Sequence, residues 1–198
     1  EANNSHYNVI RNCVFKRTPA SGTTGNIRFI RSHYNRIQNN WIESGHDSIV
    51  LIDANYNLVQ GNTVKEGRHS LIGIRCGDYN IVRSNYFSNT QQKIGEVYDC
   101  GVDTSAVPNS QDSTKHNLFE DNEFADGYSY YSTSGGMGIY YAGQEGIIRR
   151  NVFYHCNVGI GTGTALSGDE GRYVNDNHIY HNVFYANDGA GIAFSGAP

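Results

Sequence analysis

Apolar residues recur at every second position in short runs along this chain, and Asn, Gly and Ser interrupt the runs. That pattern predicts β-strands joined by turns, since an amphipathic helix would show a period of 3.6 and none does. The runs share one phrase, written seven times: YNVIRNCVF (7–15), YNRIQNNWI (34–42), YNLVQGNTV (56–64), YNIVRSNYF (79–87), HNLFEDNEF (116–124), EGIIRRNVF (145–153) and DNHIYHNVF (176–184). Its form is Asn, any residue, an aliphatic residue or Phe, two polar residues, Asn, any residue, an apolar residue.

The first Asn stands at 8, 35, 57, 80, 117 and 177, with Gly146 in its place once, giving steps of 27, 22, 23, 37, 29 and 31 residues. A unit of 22 or 23 residues holding about three short strands cannot bury its own apolar face, so the units must stack and share a core. Stacked coils rise by about 4.8 Å each, and seven of them span about 34 Å. The longer steps imply inserted loops, with 16–26, 88–95 or 101–113, 125–137 and 164–175 as the candidates. The whole chain, 1–198, reads as one such domain, or as a fragment or module of a longer protein.

The second Asn of the phrase falls at 40, 62, 85, 122, 151 and 182, with Cys13 in the equivalent place of the first unit. A polar side chain at one turn of every coil would trade amide hydrogen bonds along the axis, an internal Asn ladder. Tyr7, Tyr34, Tyr56 and Tyr79 form a second row, expected to stack on the surface. In the strand before the phrase, Ile27, Ile49, Ile72, Phe29, Leu51 and Ile74 are expected in the core. Arg28, Val50, Gly73, Ile30, Ile52 and Arg75 are expected to face out.

Composition narrows the function. Only 17% of residues are charged, and 15 Lys and Arg stand against 19 Asp and Glu for a net charge of −4. Neither sign forms a run, so nothing here marks nucleic acid as a partner. No stretch approaches the ~20 apolar residues of a membrane span, and a signal peptide is not part of this stretch. Of the four cysteines, Cys76 and Cys100 fall 14 and 15 residues after their units' second Asn. They are expected to be neighbours in adjacent coils, as a disulfide or as two buried thiols.

The recurring Y-N-x-[VI]-x-x-N-x-[FVI] resembles the repeat of right-handed parallel β-helix proteins of the pectin-lyase-like superfamily, over residues 5 to 194. The resemblance implies an all-β, single-stranded right-handed parallel β-helix of about seven coils. It leaves function open, because that superfamily contains polysaccharide lyases, glycoside hydrolases, uronate epimerases, adhesins and surface proteins without enzymatic activity.

Titratable groups concentrate at one corner. His46 and His69 lie eleven residues before their Asn, so ESGHD (43–47) and KEGRH (65–69) come to the same place in adjacent coils. A uronan lyase needs a base for the C5 proton, a cation for the carboxylate and an acid for the leaving oxygen. His69 is the candidate base, Arg68 or Arg75 the carboxylate partner, with His46 and Lys93 beside them. Calcium could replace the arginine if Glu43, Asp47, Asp53 or Glu66 converge as oxygen ligands. For sugar binding, Tyr98 in QQKIGEVYDC and Tyr128, Tyr130, Tyr131 and Tyr140 in DGYSYYSTSGGMGIYYAG offer aromatic faces.

A hydrolase would need two carboxylates instead, with Asp99 and Asp103 or Asp47 and Asp53 as candidates. Neither pair forms the aspartate-rich constellation of polygalacturonases, and no DPHE-like stretch of mannuronan epimerases appears. The Asn-Gly-Glu and Lys constellation expected of calcium-dependent alginate lyases is also missing. The expectation is a secreted or cell-surface protein acting on or binding acidic polysaccharide. The alternative is a structural or adhesive module that self-associates or joins neighbouring domains.

Overall fold

The computed structural model describes residues 1–16, 25–98, 114–127, 136–163 and 174–195. Their strands form three all-parallel sheets of eight, seven and seven members, and the chain visits each sheet once per coil. This is a right-handed parallel β-helix. No helix occurs among the described residues.

Two columns of Asn hold the coils in register. In the first, the side-chain amide of Asn8 donates to Asn35 Oδ1, Asn35 to Asn57, Asn57 to Asn80 and Asn80 to Asn117, at 3.0–3.1 Å. In the second, Asn40, Asn62, Asn85, Asn122, Asn151 and Asn182 are linked in the same way at 2.9–3.1 Å. Each receiving Oδ1 also accepts the main-chain N–H of the preceding Asn, as Asn57 Oδ1 does from Asn35 N at 2.8 Å. A buried turn thus satisfies its own polar backbone, which is the requirement any buried turn must meet. Only the second column was expected from the sequence; the first Asn of the phrase is a ladder too.

The residue before each ladder Asn takes a left-handed backbone conformation. Tyr34, Tyr56 and Tyr79 have φ of 58°, 58° and 55°, and Asn39, Ser84 and Asp121 have φ of 54°, 52° and 55°. A left-handed residue followed by an extended one turns the chain sharply, and the side chain of the first points outward. In the coil where Gly146 replaces Asn, a Cβ would lie 1.9 Å from the hydroxyl oxygen of Tyr141, which is fully buried. Tyr141 fills the room left by the missing amide.

The inward face is apolar throughout. Ile27, Ile49, Ile72, Ile139 and Ile160 belong to one buried cluster with Phe29, Leu51 and Ile74, and Phe87, Phe124, Phe153 and Phe184 stack at 4.9–5.3 Å. Parallel strands place like residues one above another, so each coil repeats the shape of the one below.

One expectation changes and two open alternatives are decided. Ile30, Val50 and Ile52 were expected to face solvent, yet they are buried at 7, 2 and 0% exposure and form a second apolar cluster. The outward face of the first sheet is therefore covered over these coils. Residues 88–95 are not an insertion, because Ser70 pairs with Lys93 and Thr90 with Gly67 at the ordinary 23-residue offset. The extra residues of that coil fall after Tyr98. Cys76 is disulfide-bonded, while Cys13 and Cys156 are free; Cys100 lies outside the described residues.

Candidate active site

Three consecutive strands of the first sheet, Asp47–Ile52, Ser70–Arg75 and Lys93–Tyr98, carry the groups expected to do chemistry. Their pairing aligns Asp47, Ser70 and Lys93 in one row. Val50, Gly73 and Glu96 make a second row, and Ile52, Arg75 and Tyr98 a third. All three rows lie on the outward face. His46 and His69 precede the first row and stack on each other, ring centroids 5.1 Å apart and planes 17° apart.

Asp47 is 3% exposed and organises one side. Its Oδ1 accepts from Ser70 Oγ at 2.9 Å and meets His69 Nδ1 at 2.8 Å. Its Oδ2 lies 3.4 Å from His46 Nδ1 and 3.9 Å from Arg75 Nη2. Burial works to raise its pKa, but the hydrogen bond and charge of His69, the Ser70 hydroxyl and Arg75 together hold the carboxyl well below the usual carboxylate range. An ionised carboxylate only accepts, so Nδ1 of His69 carries the hydrogen and Nε2 faces away from Asp47. The Asp47 hydrogen bond raises the His69 pKa above its ordinary value; burial opposes this, and the charge of Glu96 adds to it.

Glu96 organises the other side and is completely buried. Its Oε1 accepts from Tyr98 Oη at 3.2 Å and lies 3.3 Å from Lys93 Nζ and 3.5 Å from His69 Nε2. Its Oε2 is 3.9 Å from Arg75 Nη2. Lys93 Nζ donates to Tyr98 Oη and sits 5.1 and 5.0 Å from the ring centres of Tyr98 and Tyr140. Burial, reinforced by the charge and hydrogen bond of Glu96, pushes the Tyr98 phenol far up, so it stays protonated and donates.

Between the two carboxylates Gly73 is buried but carries no side chain. A Cβ built on Gly73 would meet only the Ser70 hydroxyl, at 3.6 Å. The positions on either side in the same row are Val50 and Glu96, so the missing side chain leaves a hollow on the sheet, bordered by Ser70, Arg75 and Glu96.

His46, His69, Arg75, Lys93, Tyr98 and Tyr140 thus come together as the register of the repeat requires. Arg68 is exposed on the corner beside His69, its main-chain N–H bonded to Gly45 O at 2.9 Å. The carboxylates offered for calcium do not converge. Glu43 is bound by Trp41 Nε1 at 3.0 Å and Lys16 at 3.4 Å, Asp53 pairs with Arg31 at 3.7 Å, and Glu66 is exposed. Among the described residues, the one set of three metal-ligating side chains with atoms within 4.8 Å of one another is His46, Asp47 and His69. Tyr128, Tyr130, Tyr131, Asp99 and Asp103 lie outside the described residues. Nothing in the pattern of residues marks Glu96 as the buried centre of the network, since strand alternation places it on a face expected to be wet.

The fold has a solved counterpart in the crystal structure of alginate lyase from Paenibacillus sp. str. FPU-7, with a TM-score of 0.55 and 12% identity. The match covers 93% of this chain and 80% of that one. At that identity the likeness speaks for the architecture alone. No curated protein matches the sequence significantly. One family does: residues 2–145 match the family described as "Periplasmic copper-binding protein (NosD)". That stretch is well over half of the 198 residues, and the chain belongs to the NosD family.

Proposed function

We propose that the chain acts on an acidic polysaccharide at the hollow over Gly73, breaking a uronate linkage by β-elimination. One observation carries this: a dyad of Asp47 and His69, two further cations and a protonated phenol converge around the side chain missing at Gly73. Buried, mutually perturbed groups gathered around a space left by a missing side chain are the pattern of a catalytic site rather than of a solvated solenoid face.

Each group then has a role. With Nδ1–H held by Asp47, the Nε2 lone pair of neutral His69 takes the C5 proton. Arg75 and Lys93 face the uronate carboxylate and hold the charge that develops as the C5–H bond breaks. The electron pair forms the C4–C5 double bond, the C4–O bond breaks, and the Tyr98 hydroxyl gives its proton to the departing oxygen. Tyr140 offers part of its ring as a wall for the sugar. A polymer substrate of this class also accords with action outside the cytoplasm.

The family's description raises copper, and the donor types of His46, Asp47 and His69 suit it. Their arrangement does not. A ring nitrogen's lone pair lies in the ring plane, and two stacked planes 17° apart do not meet at a point about 2 Å from both nitrogens. Arg75, 3.9 Å from the Asp47 carboxylate, would also oppose a dication. No step of the mechanism therefore passes through a metal.

The test is incubation with polymannuronate, polygalacturonate and glycosaminoglycans, following the ultraviolet absorbance of the unsaturated product. Activity should be lost in His69→Gln and in Gly73→Val. The second variant plugs the hollow with the side chain that Val50 already places in the same row of the adjacent strand. Absence of product across the panel, or full activity in Gly73→Val, refutes the proposal and leaves a structural module.

A further inference from the structure

A second surface lies around the corner from the hollow, on the turn that joins the first sheet to the second. Tyr7, Tyr34, Tyr56 and Tyr79 stack there with centroids 5.0–5.2 Å apart and planes within 6°. They are 75, 46, 46 and 44% exposed. Their faces cover one another, so what they present outward is a row of ring edges and hydroxyls. Among the described residues these hydroxyls have no hydrogen-bond partner. Each tyrosine also sits at φ between 55° and 60°, where Gly or Asn would be relaxed and other residues cost about 1–2 kcal/mol.

The row forms one wall of a groove of about 380 Å³. Leu58 and Ile81 form its floor, and Arg36 and Arg83 are its charged members. No carboxylate lines it. Among the described residues neither arginine has a carboxylate partner, in a chain whose net charge is −4. Arg83 donates to the amide oxygen of Gln60 at 3.3 Å, and Glu120 follows it in the same row on the next coil, held there by Arg149 and Arg150. Two arginines and no acid in the lining, over an apolar floor and beside evenly spaced hydroxyls, call for a ligand that is anionic, has apolar faces and repeats along the axis.

We infer that this groove binds a stretch of β-1,4-linked polyuronate laid along the helix axis, separately from the hollow over Gly73. Arg36 and Arg83 stand two coils apart, since Arg36 pairs with Leu58, and Gln60 pairs with Arg83. Two coils rise by about 9.6 Å and the two-residue offset between their rows adds about 6.6 Å across, so the arginines start about 12 Å apart; their long side chains can close this to the two-sugar repeat of an extended β-1,4 chain and meet carboxylates of one strand. The tyrosine hydroxyls, one per coil, follow the sugars between them. The apolar floor takes the C–H faces of the rings. Such a groove would keep a long substrate on the protein while another part of it is processed.

The experiment is calorimetric titration with hexamannuronate of the His69→Gln protein, which should not cut the ligand. Two sites are expected. The additional pair Arg36→Gln and Arg83→Gln should weaken one of them at least 10-fold with the circular dichroism spectrum unchanged, and adding Gly73→Val instead should remove the other. If the hollow is no sugar site, a single site remains that is lost with the arginines, so the two ideas fail separately. Cellohexaose, neutral with the same linkage, and hexaglutamate, charged without sugar faces, should each bind at least 10-fold more weakly. Binding unaffected by the arginine pair, equal binding of hexaglutamate, or no binding once Gly73→Val is present overturns the inference.

Discussion

Replacing Asn85 by Ala tests what holds the coils in register. Asn85 is 3% exposed. Its amide donates to Val59 O at 3.0 Å, Arg83 O at 2.9 Å and Asn122 Oδ1 at 2.9 Å. Its Oδ1 accepts from the main-chain N of Asn62 at 2.9 Å and from that residue's side chain at 3.0 Å. The substitution removes all five contacts, the three donated ones being shared between the two amide hydrogens. The Asn62 side chain keeps Ile37 O, at 2.9 Å, but its main-chain N–H loses its acceptor inside the solenoid. A net hydrogen bond is worth about 1 kcal/mol, and a stranded buried donor costs about 1–3 kcal/mol. A loss of about 4 kcal/mol follows, moderated if a water enters the space. With a urea slope of about 3 kcal/mol per molar, the midpoint should fall by more than about 1 M. Fluorescence and circular dichroism must report the same transition for the figure to hold. Asn8→Ala removes the same rung type at the exposed end of the first column and should cost below about 1 kcal/mol. Equal losses at the two positions, or a negligible one at Asn85, would refute the view that the columns stabilise the coils.

The base role proposed for His69 fixes a pH dependence. Its pKa is raised from 6.5 by Asp47, so the neutral base appears, and kcat/KM rises, at a pH above 6.5. Asp47→Asn removes that cause: the inflection should move down and the plateau drop by a factor of about 10² or more; an unmoved inflection assigns the base elsewhere. The same shift links to stability. A raised folded pKa contributes stability that is full below the unfolded value and lost as pH rises through the folded one, so unfolding free energy should decline across that window less in His69→Gln than in the parent. Copper titration followed by electron paramagnetic resonance should show no stoichiometric site that depends on His46; a signal abolished by both His46→Ala and His69→Ala would restore the metal reading. Gly146→Ala would drive a methyl into the Tyr141 hydroxyl and should cost about 1–3 kcal/mol by thermal denaturation, whereas an unchanged midpoint would mean that Tyr141 has room to move.

The coils and their core were legible because the phrase repeats an inward aliphatic residue and an Asn at fixed spacing, and stacking like on like needs no other information. The grouping of His69, Arg75 and Lys93 was legible for the same reason: counting back from the Asn gives the register, and parallel pairing does the rest. What the repeat could not disclose is anything contributed from outside it. Ile30, Val50 and Ile52 looked solvent-facing because alternation says so, and alternation knows nothing of what covers a sheet. Glu96 went unrecognised on the same ground. Gly73 read only as one more outward position, and its importance lies in a space that only neighbouring coils define.

The two Asn columns and the outward face are coupled by this division of labour. With register fixed by buried amides at the turns, a coil's outward positions are released from any need to specify the fold. That freedom is used unevenly. Along the row of Val50, Gly73, Glu96 and Tyr140, four successive coils carry an aliphatic side chain, none, a buried carboxylate and a phenol. Over the same coils the inward row reads Ile49, Ile72, Gly95 and Ile139, three of the four identical. Sequence variation on a face that the solenoid does not need, together with an ionised network whose burial works against it, is better accounted for by chemistry done at the hollow than by stability.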